Sequence, residues 1–167
     1  YNGDILELTS SEVPPALREV RTSYVTFYDK ADAVRGSMGH FEPREPLYKD
    51  IIHSAVGAAF NDNRVLPITK EEFASLRSEV GVLTAPEPIV YKAPAELLGQ
   101  IKLGTDGIII RRREHIGTIL PSAEAGLATT ADLLSGLCAV AELPPDNWKE
   151  PGLEVWKYQA EVITEEV

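Results

Sequence analysis

Ser23-Tyr24-Val25-Thr26-Phe27-Tyr28, the polar stretch Asp29 to Asp32, and the run Val34 to Phe41 together decide the fold. The first segment is rich in β-branched and aromatic residues, which suit a pleated, packed surface. The polar stretch reverses the chain into a second run, so the spacing predicts an antiparallel hairpin. Two glycines, Gly36 and Gly39, interrupt the second run. They cost backbone entropy unless something must approach the main chain closely there.

Downstream of this hairpin the period changes. From Pro46, the residues Leu47, Ile51, Ala55, Ala58 and Ala59 recur on one helical face, with Pro46 suited to the first turn, until Asn61-Asp62-Asn63 ends the run. Thr69 followed three residues later by Glu72 is a capping-box pattern and predicts a short helix over Lys70 to Ser75. Glu79 to Thr84 reads as a strand, ended by Ala85-Pro86-Glu87-Pro88, because proline donates no ladder hydrogen bond. Pro94 to Gln100 reads as a second short helix.

Gly107-Ile108-Ile109-Ile110 and Ile116 to Leu120 flank a charged turn and predict another hairpin, its continuous apolar run suggesting burial on both faces. Thr130 is the expected cap of a helix burying Leu133, Leu134, Leu137, Cys138 and Ala141, ended by Pro144-Pro145. Val155 to Thr164 alternates as one long strand, with Trp156, Tyr158, Ala160, Val162 and Thr164 expected on its core face. Trp148 and Trp156 are expected to close the core. Mixed elements, several hairpins and no regular βαβ alternation predict an α+β fold: antiparallel strands with flanking helices in a compact single domain spanning 1–167.

Composition narrows the function classes. Sixteen Lys plus Arg against 26 Asp plus Glu give a formal charge of −10, which opposes sequence-independent binding to nucleic acid or anionic lipid. Arg111-Arg112-Arg113 beside His115 is the local exception, read either as an anion patch or as a solvated hairpin tip. The single cysteine, Cys138, cannot pair within the chain, so the expected compartment is the reducing cytoplasm. No apolar run approaches membrane-spanning length. Tyr1-Asn2-Gly3-Asp4 has neither the basic nor the apolar region of a leader, and the absence of Met leaves residues upstream open.

His40, His53 and His115 make no metal-ligand spacing, and no phosphate-cradling glycine motif is present, so neither a metal nor a cofactor is expected. The polar residues around the interrupted strand form the candidate site: Arg35, Gly36, Ser37, Gly39, His40 and Arg44, with Asp62 and Arg64 after the helix. Glu42 and Tyr48 add further polar groups. The glycines admit a ligand or a tightly packed helix, and both readings stand at this point. Ser37 and His40 are the candidate catalytic pair, although Gly36-Ser37-Met38-Gly39 is not a nucleophile elbow. Arg64 is expected to pair with Asp62 or Glu79.

Arg35-Gly36-Ser37-Met38-Gly39, then Glu42-Pro43-Arg44 and Pro46-Leu47-Tyr48, resembles the signature region of the AMME syndrome candidate gene protein family. The similarity continues through Ala58 to Arg64, Leu83 to Pro88, Gly107 to Ile110 and Trp148 to Tyr158, and runs from about residue 15 to the C-terminus. The resemblance implies a two-lobed α+β fold with a cleft near the signature, and no settled activity. It also implies an accessory role beside a Memo-like protein and a radical S-adenosylmethionine protein, whose cluster chemistry would belong to the partner. Two departures stand out: Ser37 occupies the position of the family's signature cysteine, and Leu120-Pro121-Ser122 stands where relatives often carry Leu-Pro-Gln. Ser37 removes a thiolate from the site.

Three functions follow as expectations. One is an accessory protein that binds a small anionic ligand through Arg35 and Arg44. The second is a hydrolase or transferase in which His40 works with Glu42 or Asp62. The third is a protein-interaction module, suggested by the acidic surface and the family's association with other proteins, which an exposed contiguous apolar patch would favour.

Overall fold

The computed structural model describes residues 6–9, 11–121 and 128–165; Tyr1 to Asp4 and Ser122 lie outside them. In chain order the elements are β1 (Thr22–Tyr28), β2 (Val34–Gly39), α1 (Leu47–Phe60), α2 (Lys70–Phe73), β3 (Arg77–Leu83) and β4 (Glu87–Pro88). These are followed by α3 (Pro94–Gln100), β5 (Gly107–Arg112), β6 (His115–Ile119), α4 (Thr130–Val140), β7 (Glu154–Tyr158) and β8 (Ala160–Thr164). The α+β class and both hairpins agree with the sequence reading. The chain divides into two compact units, one running to Thr84 and including the residues from Glu161, the other being Ala85–Ala160.

The first unit holds a four-stranded sheet in the order β2-β1-β3-β8. β1 pairs antiparallel with β2, Thr26 opposite Ser37, and with β3, Thr26 opposite Glu79. Its core joins Val25 and Phe27 of β1 to Ala58 and Ala59 of α1, with Ile68 and Leu76. The helix seats very closely on β2: a Cβ on Gly36 would lie 2.0 Å from the Ala58 carbonyl oxygen. Close approach of backbone to backbone, which only glycine permits, is therefore what interrupts the strand there. Pro46 is the residue preceding α1 rather than a member of its first turn, and Asn61 closes the helix by donating to Gly57 O. The Thr69–Glu72 capping box forms in both directions, but α2 stops at Phe73, short of the expected Ser75.

The second unit has a sheet in the order β4-β7-β5-β6. α3 and α4 bury Leu97, Leu133, Leu134, Leu137 and Cys138 against Ile108, Ile110 and Val155, and Trp148 joins this core. Ile108 and Ile110 are fully buried, whereas Ile109 is half-buried, so the apolar run of β5 is covered completely on one face only. The cap of α4 is Thr129, one residue earlier than expected; its side chain accepts from the Asp132 N–H. Pro144 is not what ends this helix. Glu142 adopts φ 57°, Leu143 N–H donates to Cys138 O and Glu142 N–H to Ala139 O, a Schellman closure with glutamate in the left-handed position.

The long C-terminal strand is two strands in different sheets, separated at Gln159. The alternation of apolar side chains gave no signal of this, because β7 takes its register from β5, with Ile110 opposite Val155. Val155 and Tyr158 are buried, Trp156 is half-buried, and Val162 is exposed, so the expected core face is not the observed one.

Gly36→Ala should lower the urea midpoint by the equivalent of about 2 kcal/mol or more at unchanged slope, since the clash is with backbone. Glu142→Gly should raise stability by about 0.5–1 kcal/mol through relief of the left-handed conformation. Urea unfolding of the two variants beside the wild type checks both.

Candidate functional site

The signature strand β2 is an edge strand, so its outward N–H and C=O groups need partners. At Ser37 they come from the loop after α1. The Ser37 N–H donates to Asp62 Oδ2 at 2.9 Å, and Arg64 Nη2 donates to Ser37 O at 3.3 Å. Asp62 also accepts from the Arg64 N–H at 3.0 Å, from Nε at 2.9 Å and from Nη2 at 2.7 Å. The Asp62–Arg64 pair thus takes the place of a neighbouring strand. Asp62 is buried, and the Arg64 guanidinium, helped by the Ser37 and Arg64 backbone N–H groups, holds its carboxyl far below the usual carboxylate range against the opposing effect of desolvation. Arg64 pairs with Asp62, as one of the two expected alternatives; Glu79 instead accepts from Tyr24 Oη at 3.1 Å.

The Ser37 hydroxyl shares a hydrogen bond of 2.8 Å with Thr26 Oγ1, its cross-strand neighbour. It is engaged within the sheet. Gly39 has its own steric reason, because a Cβ there would lie 2.6 Å from Tyr24 Cβ. Arg35 Nε donates to Glu72 Oε1, and its Nη1 and Nη2 lie 3.5 Å from Leu66 O. The other Glu72 oxygen accepts from the Thr69 N–H, so a single carboxylate closes α2 and ties it to β2. Arg44 pairs with Glu42 at 3.0 Å, both largely exposed. All three arginines of the candidate site therefore already have carboxylate partners, with which a small anion would compete.

His40 lies at the far end of β2. Its Nδ1 is 3.7 Å from Asp50 Oδ1, on the first turn of α1. Asp50 is buried and its Oδ2 accepts from the Ser23 N–H at 2.7 Å and from Ser23 Oγ at 2.6 Å. The carboxylate beside His40 is thus Asp50, not Glu42 or Asp62. Sequence reading passed over both Asp50 and Ser23. The available signal was Asp50 itself, an acidic residue on the helix face that also carries Leu47 and Ala58.

The segments around Arg35 carry exposed apolar residues. Leu66 is 81% exposed and Phe73 57%, with Val34 also exposed. Val34 precedes Arg35, Phe73 follows Glu72, and Leu66 supplies the carbonyl facing Arg35, so the arginine links the three segments that carry these exposed apolar residues. Phe73 rests edge-on against Phe27, centroids 6.1 Å apart.

The arginine cluster of the second unit does not converge. Arg111 pairs with Glu154 at 2.8 Å and lies over the Trp156 ring, Arg112 donates to Asn147 Oδ1 at 2.6 Å, and exposed Arg113 turns the hairpin with φ 58°. This unit also carries an open groove of about 420 Å³ lined by Pro88, Val90, Tyr91, Pro151 and Trp156. Among the described residues no group of three or more His, Cys, Asp or Glu side chains is placed to hold a metal ion, and no helix is long and apolar enough to cross a membrane.

Two four-stranded sheets, each with its own helices, and a glycine-interrupted edge strand against α1 define the class. The crystal structure of an uncharacterized protein from Pyrococcus horikoshii has the same fold, with TM-score 0.91 at 34% identity over 99% of this chain and 83% of that one. A Thermofilum pendens protein is 35% identical over 164 residues, covering 92% of this chain and 77% of the relative. A Nanoarchaeum equitans protein is 34% identical over 166 residues, covering 96% and 92%. The AMMECR1 family model matches residues 2–163, and the chain belongs to the AMMECR1 family.

Asp62→Asn should cost about 1–3 kcal/mol at neutral pH. Because the folded carboxyl titrates below its unfolded value of about 3.9, this stabilisation is present above that pH and is lost as the pH falls further. Urea midpoints of variant and wild type should therefore converge below about pH 4.

Proposed function

We propose that this chain is an accessory protein that works by binding other proteins, through the apolar surface organised around Arg35. The observation that carries this reading is the exposure of Val34, Leu66 and Phe73 on the three segments that Arg35 links through its own strand, the Leu66 carbonyl and the Glu72 carboxylate. Exposed apolar side chains on a pre-organised surface lose little entropy on docking and are the usual anchors of an interface. The candidate partners are the Memo-like and radical S-adenosylmethionine proteins that the family resemblance implies, in a shared modification pathway. A buried, unpaired Cys138 is consistent with a cytoplasmic setting for it.

A second reading, hydrolase or transferase, draws on the pairing of half-exposed His40 with buried Asp50. The carboxylate, fixed by Ser23, lies 3.7 Å from Nδ1, and a small approach of the imidazole would bring the two into hydrogen-bond contact with Nε2 left to transfer a proton. A substrate screen in which turnover appears and His40→Gln abolishes it supports this alternative.

The test of the first reading is a binding titration of the chain with each purified candidate partner. Leu66→Glu should weaken the complex about tenfold or more, by burying a charge at the interface, with the melting temperature unchanged. Absence of a wild-type complex with either partner, or equal binding by the variant, overturns it.

A further inference from the structure

β8 ends the first sheet, and its residues Glu161, Val162, Ile163 and Thr164 are all exposed. Val162 is 46% and Ile163 60% exposed. Successive side chains of a strand point to opposite faces, so both faces of β8 are exposed, and among the described residues no strand pairs with its outer edge. Proteins ordinarily guard such edges with Pro, Lys, a bulge or a covering segment, because unpaired N–H and C=O groups template another strand. The opposite edge of this sheet is guarded: Asp62 and Arg64 occupy the outward groups of Ser37. β8 contains neither Pro nor Lys. On its inner side it is anchored, with Glu165 N–H donating to Ser78 O at 3.0 Å and Ser78 Oγ to Glu165 Oε2 at 2.8 Å.

We propose that β8 is a docking edge, which accepts an extended segment of another protein as an added strand with apolar residues at its centre and a Lys or Arg near each end. Charge selects this occupant. Glu161 and Glu165 flank the apolar pair, and neither carboxylate has a cationic partner among the described residues. A basic residue opposite each is favourable, and a like charge is not. A second copy of the chain is disfavoured by charge: with Ile163 on the two-fold axis Glu161 meets Glu165, no register supplies a cation to either glutamate from β8 itself, and each copy carries −10. This surface is separate from the one around Arg35, so the two readings stand or fall independently.

The experiment uses labelled peptides of alternating Val and Thr with Lys at both ends, read by fluorescence polarisation against the whole chain. Binding is expected, about tenfold weaker when Glu replaces the terminal lysines, and lost when alternate peptide nitrogens are methylated. Glu161→Lys, at an exposed position that does not disturb the core, should shift the preference toward the Glu-ended peptide. No binding, equal binding of the two peptides, or binding that survives methylation overturns the proposal. So does an unchanged preference in the Glu161→Lys variant, or a wild-type dimer in sedimentation that disappears in Ile163→Glu.

Discussion

The contact between Gly36 and the Ala58 carbonyl sets the geometry on which the rest of the signature region depends. With no side chain at Gly36, the edge strand lies against α1 backbone to backbone. That placement brings the loop following the helix alongside β2, so Asp62 and Arg64 reach both polar groups of Ser37. It also places the first turn of the helix beside His40 at the other end of the strand. A side chain at Gly36 would separate strand and helix, and both polar arrangements would be lost together.

The ion pairs differ in what they contribute. Arg44–Glu42 and Arg111–Glu154 are largely solvent-exposed, and pairs of that kind give little stability once screening and side-chain entropy are counted. Asp62 and Asp50 are buried, and each accepts several hydrogen bonds, so losing a partner would strand a desolvated carboxylate. The polar residues that seemed free to meet a ligand are in this respect part of the fold.

How much was legible can be traced residue by residue. The β1–β2 hairpin, the Thr69–Glu72 box and Pro94–Gln100 were readable because each rests on neighbours within a few positions. Arg64 with Asp62 was readable for the same reason. The dyad of His40 and Asp50 was not, since ten positions and a change of element separate them. The end of α4 was misassigned to Pro144 because a left-handed glutamate leaves no compositional mark.

The sequence by itself determined most element types, the α+β class and the family, since periodicity, caps and short motifs are written in local order; β4 (Glu87–Pro88), read as a strand end because of its prolines, was the exception. Only the tertiary structure decided why β2 carries glycine, which carboxylate meets which cation, and where the apparent C-terminal strand divides between two sheets. Those outcomes depend on backbone approach and strand partnership between segments distant in the chain. A period-two pattern records which residues can alternate across a strand, but it does not record the neighbour to which that strand will bond.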